Sequence, residues 1–124
     1  MTTLSRRAGY RLGLRAETIA ALYLRLKFYR ILARRFASPA GEIDLVARRG
    51  TSLVFVEVKA RPTLEAAAES IRHMQRARIV QAANAFLSRH PHYINHFARF
   101  DAILIAPGRW PRHLISAFDA NGMS

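Results

Sequence analysis

The run Leu53-Val54-Phe55-Val56-Glu57-Val58-Lys59-Ala60 restricts the fold more than any other stretch of the chain. Its β-branched and aromatic residues favour extended backbone, in which successive side chains alternate between faces. Val54, Val56 and Val58 then form one apolar face, and Phe55, Glu57 and Lys59 share the other. A carboxylate and an ammonium group are thereby fixed side by side behind a buried valine stripe. Residues 42–47 repeat the alternation, with Ile43 and Leu45 expected on one face and Glu42 and Asp44 on the other. Arg48-Arg49-Gly50-Thr51-Ser52 between the two runs is a hairpin connection. With the turn centred near residues 50–51, antiparallel pairing sets Asp44 against Glu57 and Glu42 against Lys59. A slip of one residue would turn every side chain to the other face.

The remaining elements surround this hairpin. Residues 6–27 read as a helix, with Glu17, Ala20, Ala21, Leu24 and Phe28 on one stripe that is apolar except for Glu17. Residues 28–35 read as a strand, Ser38-Pro39-Ala40-Gly41 as a turn, and 69–89 as a second helix closed by His90-Pro91. Residues 97–106 give another strand ended by Pro107-Gly108, and 113–118 a last short one. The fold class is α/β: one mixed sheet with helices on both sides. A length of 124 residues suits a single domain, with a basic arm over about 1–9 and a tail over about 107–124.

Charge points to the partner. The chain carries a net +12, and lysine and arginine release counterions when they meet phosphates. Residues 1–36 hold nine basic groups and one acid, 37–69 hold four and five, and 70–124 hold seven and two. A protein that only coats phosphate has little reason to gather carboxylates between two basic arms; an enzyme that places a metal there does. With no cysteine, disulfides and thiolate metal sites are excluded. The longest apolar run, Ile19 to Leu24, falls far short of a membrane span. A soluble, cytoplasmic protein is expected.

Two carboxylates packed together are unfavourable unless a proton or cation joins them. A hard divalent ion bound through Asp44 and Glu57, with the Val58 carbonyl as a further ligand, answers that problem, and Mg²⁺ (or Mn²⁺ in its place) accepts such oxygen donors. Lys59 would then hold the attacking water or offset charge at a phosphate. The competing reading is a surface ion-pair cluster of the same three residues. Glu17, on an apolar stripe, either finds a cationic partner or approaches the metal region. Gln75, on the stripe Ile71, Gln75, Ile79, Ala82, Phe86, is either a core amide bonded to backbone or a group reaching the scissile phosphate. Arg6, Arg7, Arg11, Arg15 and Arg61 are the expected phosphate contacts. His73, His90, His92 and His96 lack metal-binding spacing, and Asp101 beside Arg99 reads as a paired strand residue. Trp110 either stacks on bases or caps the core.

The segments Gly41-Glu42-Ile43-Asp44-Leu45-Val46-Ala47 and Leu53 through Arg61 resemble the signature of the YraN family, small bacterial proteins related to Holliday-junction resolvases and restriction endonucleases. The resemblance extends to Gly13–Glu17, Ala77–Leu87 and Arg99-Phe100-Asp101. It implies a restriction-endonuclease-like αβββαβ core, Asp44, Glu57 and Lys59 as a PD-(D/E)xK catalytic triplet, and Glu17 as an auxiliary acid. Where many members of that family carry lysine this chain has Gln75, and related nucleases also use a glutamine after the ExK strand. Resolution of branched DNA takes two active centres, so a homodimer is the corresponding expectation.

Three hypotheses follow: a Mg²⁺-dependent DNA endonuclease that reads DNA shape, a non-catalytic nucleic-acid-binding protein retaining that fold, and a scaffold whose charge serves assembly. Cleavage assays on Asp44 and Lys59 variants separate the first two, and salt-sensitive DNA binding separates both from the third.

Overall fold

A computed structural model describes the backbone of residues 3–118 and the side chains of residues 15–118. The elements are α1 (Thr3–Leu26), β1 (Arg30–Ser38), β2 (Gly41–Arg49), β3 (Ser52–Ala60), α2 (Leu64–Arg72), α3 (Arg76–Arg89), a 3₁₀ turn (Pro91–Tyr93), β4 (Phe97–Ile105) and β5 (Arg112–Phe118). The five strands form one mixed sheet in sequence order, antiparallel except for the parallel β3–β4 pair. Among the described residues no helix is long and apolar enough to cross a membrane.

The sheet separates two layers of core. On one face Ala16, Ala20, Ala21 and Leu24 of α1 pack on Leu45, Ala47, Val54, Val56 and Ile103. Alanine at three of those four helix positions lets the backbone approach the strands closely. Leu24 is wholly buried, which contributes about 1.5–3 kcal/mol. On the other face Ile79, Ala82, Ala83 and Phe86 of α3 pack on Ile43, Val46, Leu53, Phe55 and Phe100. α2 covers Ala102 and Leu104 with Leu64, Ala67 and Ile71. The middle strands β3 and β4 are buried on both sides, which is why they read as nearly continuous apolar runs.

Three expectations need correction. Phe28 leaves the α1 stripe: it follows the helix at φ 70° and is 87% exposed, while Tyr29 takes the buried place. Residues 69–89 do not form one helix. The chain breaks after Arg72 and restarts at Arg76. α2 begins at Thr63, whose hydroxyl accepts the Ala66 amide at 3.1 Å, an N-cap that starts the helix earlier than the apolar stripe suggested. Lastly, Ile43 and Leu45 do not share a face, since Ile43 packs toward α3 and Leu45 toward α1. The reason lies on the neighbouring strand. Arg34 pairs with Leu45 and Phe36 with Ile43, but Arg35 between them adopts φ 53°, a left-handed conformation that breaks the pleat opposite Asp44.

Candidate active site

The β2–β3 ladder keeps the expected register, with Arg49 opposite Ser52 and Leu45 opposite Val56. Gly50 at φ 59° supplies the left-handed residue of the tight connection. Beyond Leu45 and Val56 the ladder stops, so the anticipated Asp44–Glu57 and Glu42–Lys59 rungs are not backbone pairs. Instead the Val58 amide donates to Asp44 Oδ2 at 2.8 Å. A side chain replaces a main-chain acceptor at the point where the strands part.

Glu57 and Lys59 project from β3 on the α3 side, and Glu57 Oε1 lies 3.2 Å from Lys59 Nζ, with 16% and 24% of the two side chains exposed. They line a cavity of about 500 Å³ with Gly41 and Glu42 at the start of β2, His73, Met74 and Gln75 of the helix break, and Arg78 and Ile79 of α3. The break therefore forms a wall of the cavity. Gln75 is exposed there rather than in the core, and its Oε1 accepts from Arg78 Nη1 at 3.2 Å. Arg78 is anchored in turn by Nε donating to the Ala40 carbonyl at 3.1 Å.

The electrostatics of the pair are strained. Burial raises the Asp44 pKa, and the charges of Glu17 and Glu42 add to it against the Val58 amide and Lys59. Glu57 is pushed up to about 7, first by burial and then by the charge of Asp44, with Lys59 opposing. Two carboxylates thus sit in one partly buried place with a single adjacent ammonium group. Among the described residues no set of three or more His, Asp or Glu side chains is grouped to hold a metal ion. A cation here would rely on two carboxylates and on oxygens from backbone, water or substrate.

Glu17 is 6% exposed and finds two cations. Arg34 Nε donates to its Oε1 at 3.2 Å and Arg35 Nε to its Oε2 at 2.9 Å. Neighbouring residues of a strand ordinarily face opposite ways, and the left-handed turn at Arg35 lets both reach one carboxylate. Of the expected phosphate contacts, Arg15 is exposed on α1 and Arg61 is exposed directly after β3, its Nη1 donating to Ala60 O at 2.7 Å. Arg6, Arg7 and Arg11 lie outside the described side chains. His90, His92 and His96 belong to a cluster of rings with Phe86 and Tyr93, His90 stacked on Phe86 and His96 edge-on to Tyr93. Trp110 is 81% exposed and so does not cap the core.

Sequence reasoning missed His113. Asp101 is fully buried and accepts from both Arg99 Nε and Nη2, from the Ser116 amide, and from His113 Nε2 at 2.6 Å. Lys27 Nζ lies 2.7 Å from His113 Nδ1. An ammonium group can only donate, so Nδ1 accepts and Nε2 carries the proton toward Asp101. The available signal was Asp101 itself, an acid inside an apolar strand that had to find partners.

A family model described as "Uncharacterised protein family UPF0102" matches residues 16–105. A UPF0102 protein of Parvibaculum lavamentivorans is 58% identical over 111 residues, covering 90% of this chain and 84% of its own length. Those of Methylorubrum extorquens strain PA1 and Methylobacterium nodulans are 55% and 57% identical, covering 95% and 92% of this chain and 92% and 88% of their own lengths.

Proposed function

The chain belongs to the protein family UPF0102, and we propose that it is a metal-dependent DNA endonuclease with its centre at Asp44, Glu57 and Lys59. The observation that carries this reading is the closeness of two carboxylates: Asp44, held by the Val58 amide, raises the pKa of Glu57, which lines the cavity together with Lys59. The donor set suits a hard divalent cation, because such an ion relieves both burial and mutual repulsion. Asp44 and Glu57 would hold Mg²⁺ or Mn²⁺, with the Val58 carbonyl as a further ligand. When bound, the ion supplies Lewis acidity at a phosphate oxygen and a more acidic water.

The chain's own groups do the rest. The Val58 amide fixes the orientation of the Asp44 carboxylate. Lys59, tethered to Glu57, donates to the attacking water or to the charge developing on the phosphorus oxygens. Arg78, braced by the Ala40 carbonyl, and Gln75 offer donors on the opposite wall for the substrate backbone. Among the described residues no helix stands out as a recognition helix, so the shape of the DNA, branched or otherwise structured, is the feature read.

The test is a cleavage panel of duplex, single-stranded and branched DNA with Mg²⁺ or Mn²⁺, comparing wild type with Lys59→Ala. Loss of about a hundredfold or more in rate with binding retained is expected. Wild type that cuts none of them sinks the proposal. The net charge of +12 favours, as second reading, a protein of the same fold that binds DNA without cutting it.

A further inference from the structure

The β2–β3 hairpin carries its charge unevenly from end to end. On β2 the acids Glu42 and Asp44 stand near the start and Arg48 and Arg49 at the finish, while β3 places Glu57 beside Lys59 toward its own far end. Antiparallel pairing therefore gathers the acids at the open end and leaves arginines at the turn. There Arg48 is the direct cross-strand partner of Arg30, the first residue of β1. Like charges on one rung are destabilising. Among the described residues neither arginine forms an ion pair, since Glu17, Glu57, Glu69 and Asp101 are held by other cations. Asp44 lies four residues from Arg48, and Glu57 four from Leu53, the β3 partner of Arg48. That is roughly 13 Å at strand spacing, past the screening length of about 10 Å at 0.1 M salt. Arg30 is exposed and Arg48 half-buried. Arg48 Nη1 donates to the Gly50 carbonyl at 3.2 Å, a neutral acceptor that fixes the guanidinium over the turn without cancelling its charge.

The rung also faces the side on which the candidate centre opens. Val46 packs toward α3 and Ala47 toward α1, so alternation puts Arg48 on the α3 side. Arg30, opposite it, shares that side, and Ile31 after it packs toward α1. Glu57 and Lys59 line the cavity on the same α3 side. A duplex advances about 3.4 Å per base pair, so the rung stands about four steps from the level of Glu57. We infer that Arg30 and Arg48 form a phosphate-binding site for the DNA backbone at the turn end of the sheet, separate from the Glu57–Lys59 cavity. Backbone phosphates that meet the two guanidiniums relieve the repulsion built into the rung. The choice of DNA rests on the nuclease reading, but the test does not need cleavage.

Affinity for a short DNA duplex is measured in EDTA across a range of NaCl concentrations for wild type, Arg30→Gln, Arg48→Gln, the double variant and Arg30→Glu. Thermal melts of each are recorded without DNA. Each single glutamine variant is expected to lower the steepness of log K against log salt by about one, and the double variant by about two, as loss of phosphate contacts does. Affinity at low salt falls several-fold with each. Arg30→Glu makes the rung an ion pair with Arg48, so its melting temperature is expected to rise by about 1–4 °C while DNA affinity falls at least as far as in Arg30→Gln. Glutamine variants with the wild-type salt slope overturn the site. An Arg30→Glu protein that melts below wild type shows that the rung is under no repulsion and overturns it as well. Arginine-dependent binding to vesicles of anionic lipid, without such binding to DNA, assigns the rung to a membrane surface and also overturns the inference. Wild type that shows the arginine-dependent slope yet cuts no DNA with Mg²⁺ removes the nuclease reading and leaves the site standing; cleavage with unchanged slopes does the reverse.

Discussion

The carboxylate of Asp44 accepts the Val58 amide at 2.8 Å, just beyond Leu45–Val56, the last β2–β3 backbone pair. A single side chain thus does two jobs: it closes the fork between two strands, and it brings a second negative charge up to Glu57. The two jobs oppose each other in the metal-free protein, which makes them separable.

Asp44→Asn keeps an oxygen that can accept the Val58 amide but removes the repulsion on Glu57. Its metal-free form is expected to be about 1 kcal/mol more stable than wild type at pH 8, a rise of roughly 3–5 °C in melting temperature. Stabilisation by added Mg²⁺ should disappear in the same variant. A fall in metal-free stability together with retained Mg²⁺ response would contradict the assignment.

Glu57 sets a pH dependence whose sign is fixed. Its folded-state pKa is raised from 4.5 to about 7, so the folded protein binds the extra proton. The resulting stability is fully present below pH 4.5 and is lost as pH rises through about 7. At roughly 1.4 kcal/mol per pH unit, the loss is about 3–4 kcal/mol. Denaturant titrations of wild type and Glu57→Gln should diverge over that interval, the variant lacking the decline. Mg²⁺ competes with the same proton, so its stabilising effect should grow from about pH 5.5 to pH 8.

Asp101 is the opposite case. Burial pushes its carboxyl up, but hydrogen bonds from His113, Arg99 and the Ser116 amide outweigh burial and hold the pKa below the usual value. Its contribution is present above pH 3.8 and is lost as pH falls through the lowered folded value. Replacing His113 with Ala leaves the buried carboxylate with fewer donors and cuts Lys27 loose. A cost of about 3 kcal/mol is expected, a drop of roughly 10 °C in melting temperature. A shift under about 2 °C would show that the network contributes little.

Phe28, a bulky residue at φ 70° and 87% exposed, loses nothing in packing when removed. Phe28→Gly is expected to raise stability by about 1 kcal/mol, because glycine adopts that conformation without strain. Chemical denaturation decides it; destabilisation would mean that the ring has a folded-state partner.

The hairpin and the side on which Glu57 and Lys59 stand were legible because alternation and turn chemistry are local. Valines at 54, 56 and 58 fix the buried face, and Gly50 fixes the turn, so Glu57 and Lys59 follow. The fork at Asp44 was not legible, since it depends on Arg35 taking a left-handed conformation that arginine rarely adopts. The helix break at 73–75 escaped because no proline or glycine marks it and Ile71 and Ile79 continue the stripe across the gap. Lys27 and His113 were invisible as a pair: 86 positions separate them, and neither lies in a pattern that announces the other.

That long-range pair has a temporal consequence. Lys27, just after the first helix, meets His113 of the last strand, and Asp101 of β4 holds that strand through His113 and the Ser116 amide. During synthesis, residues 44 and 57 leave the ribosome well before residue 116, so the half of the chain that carries them is made before the strap that ties it to the last strand. The end of the first helix therefore stays untied to the far side of the sheet until β5 emerges.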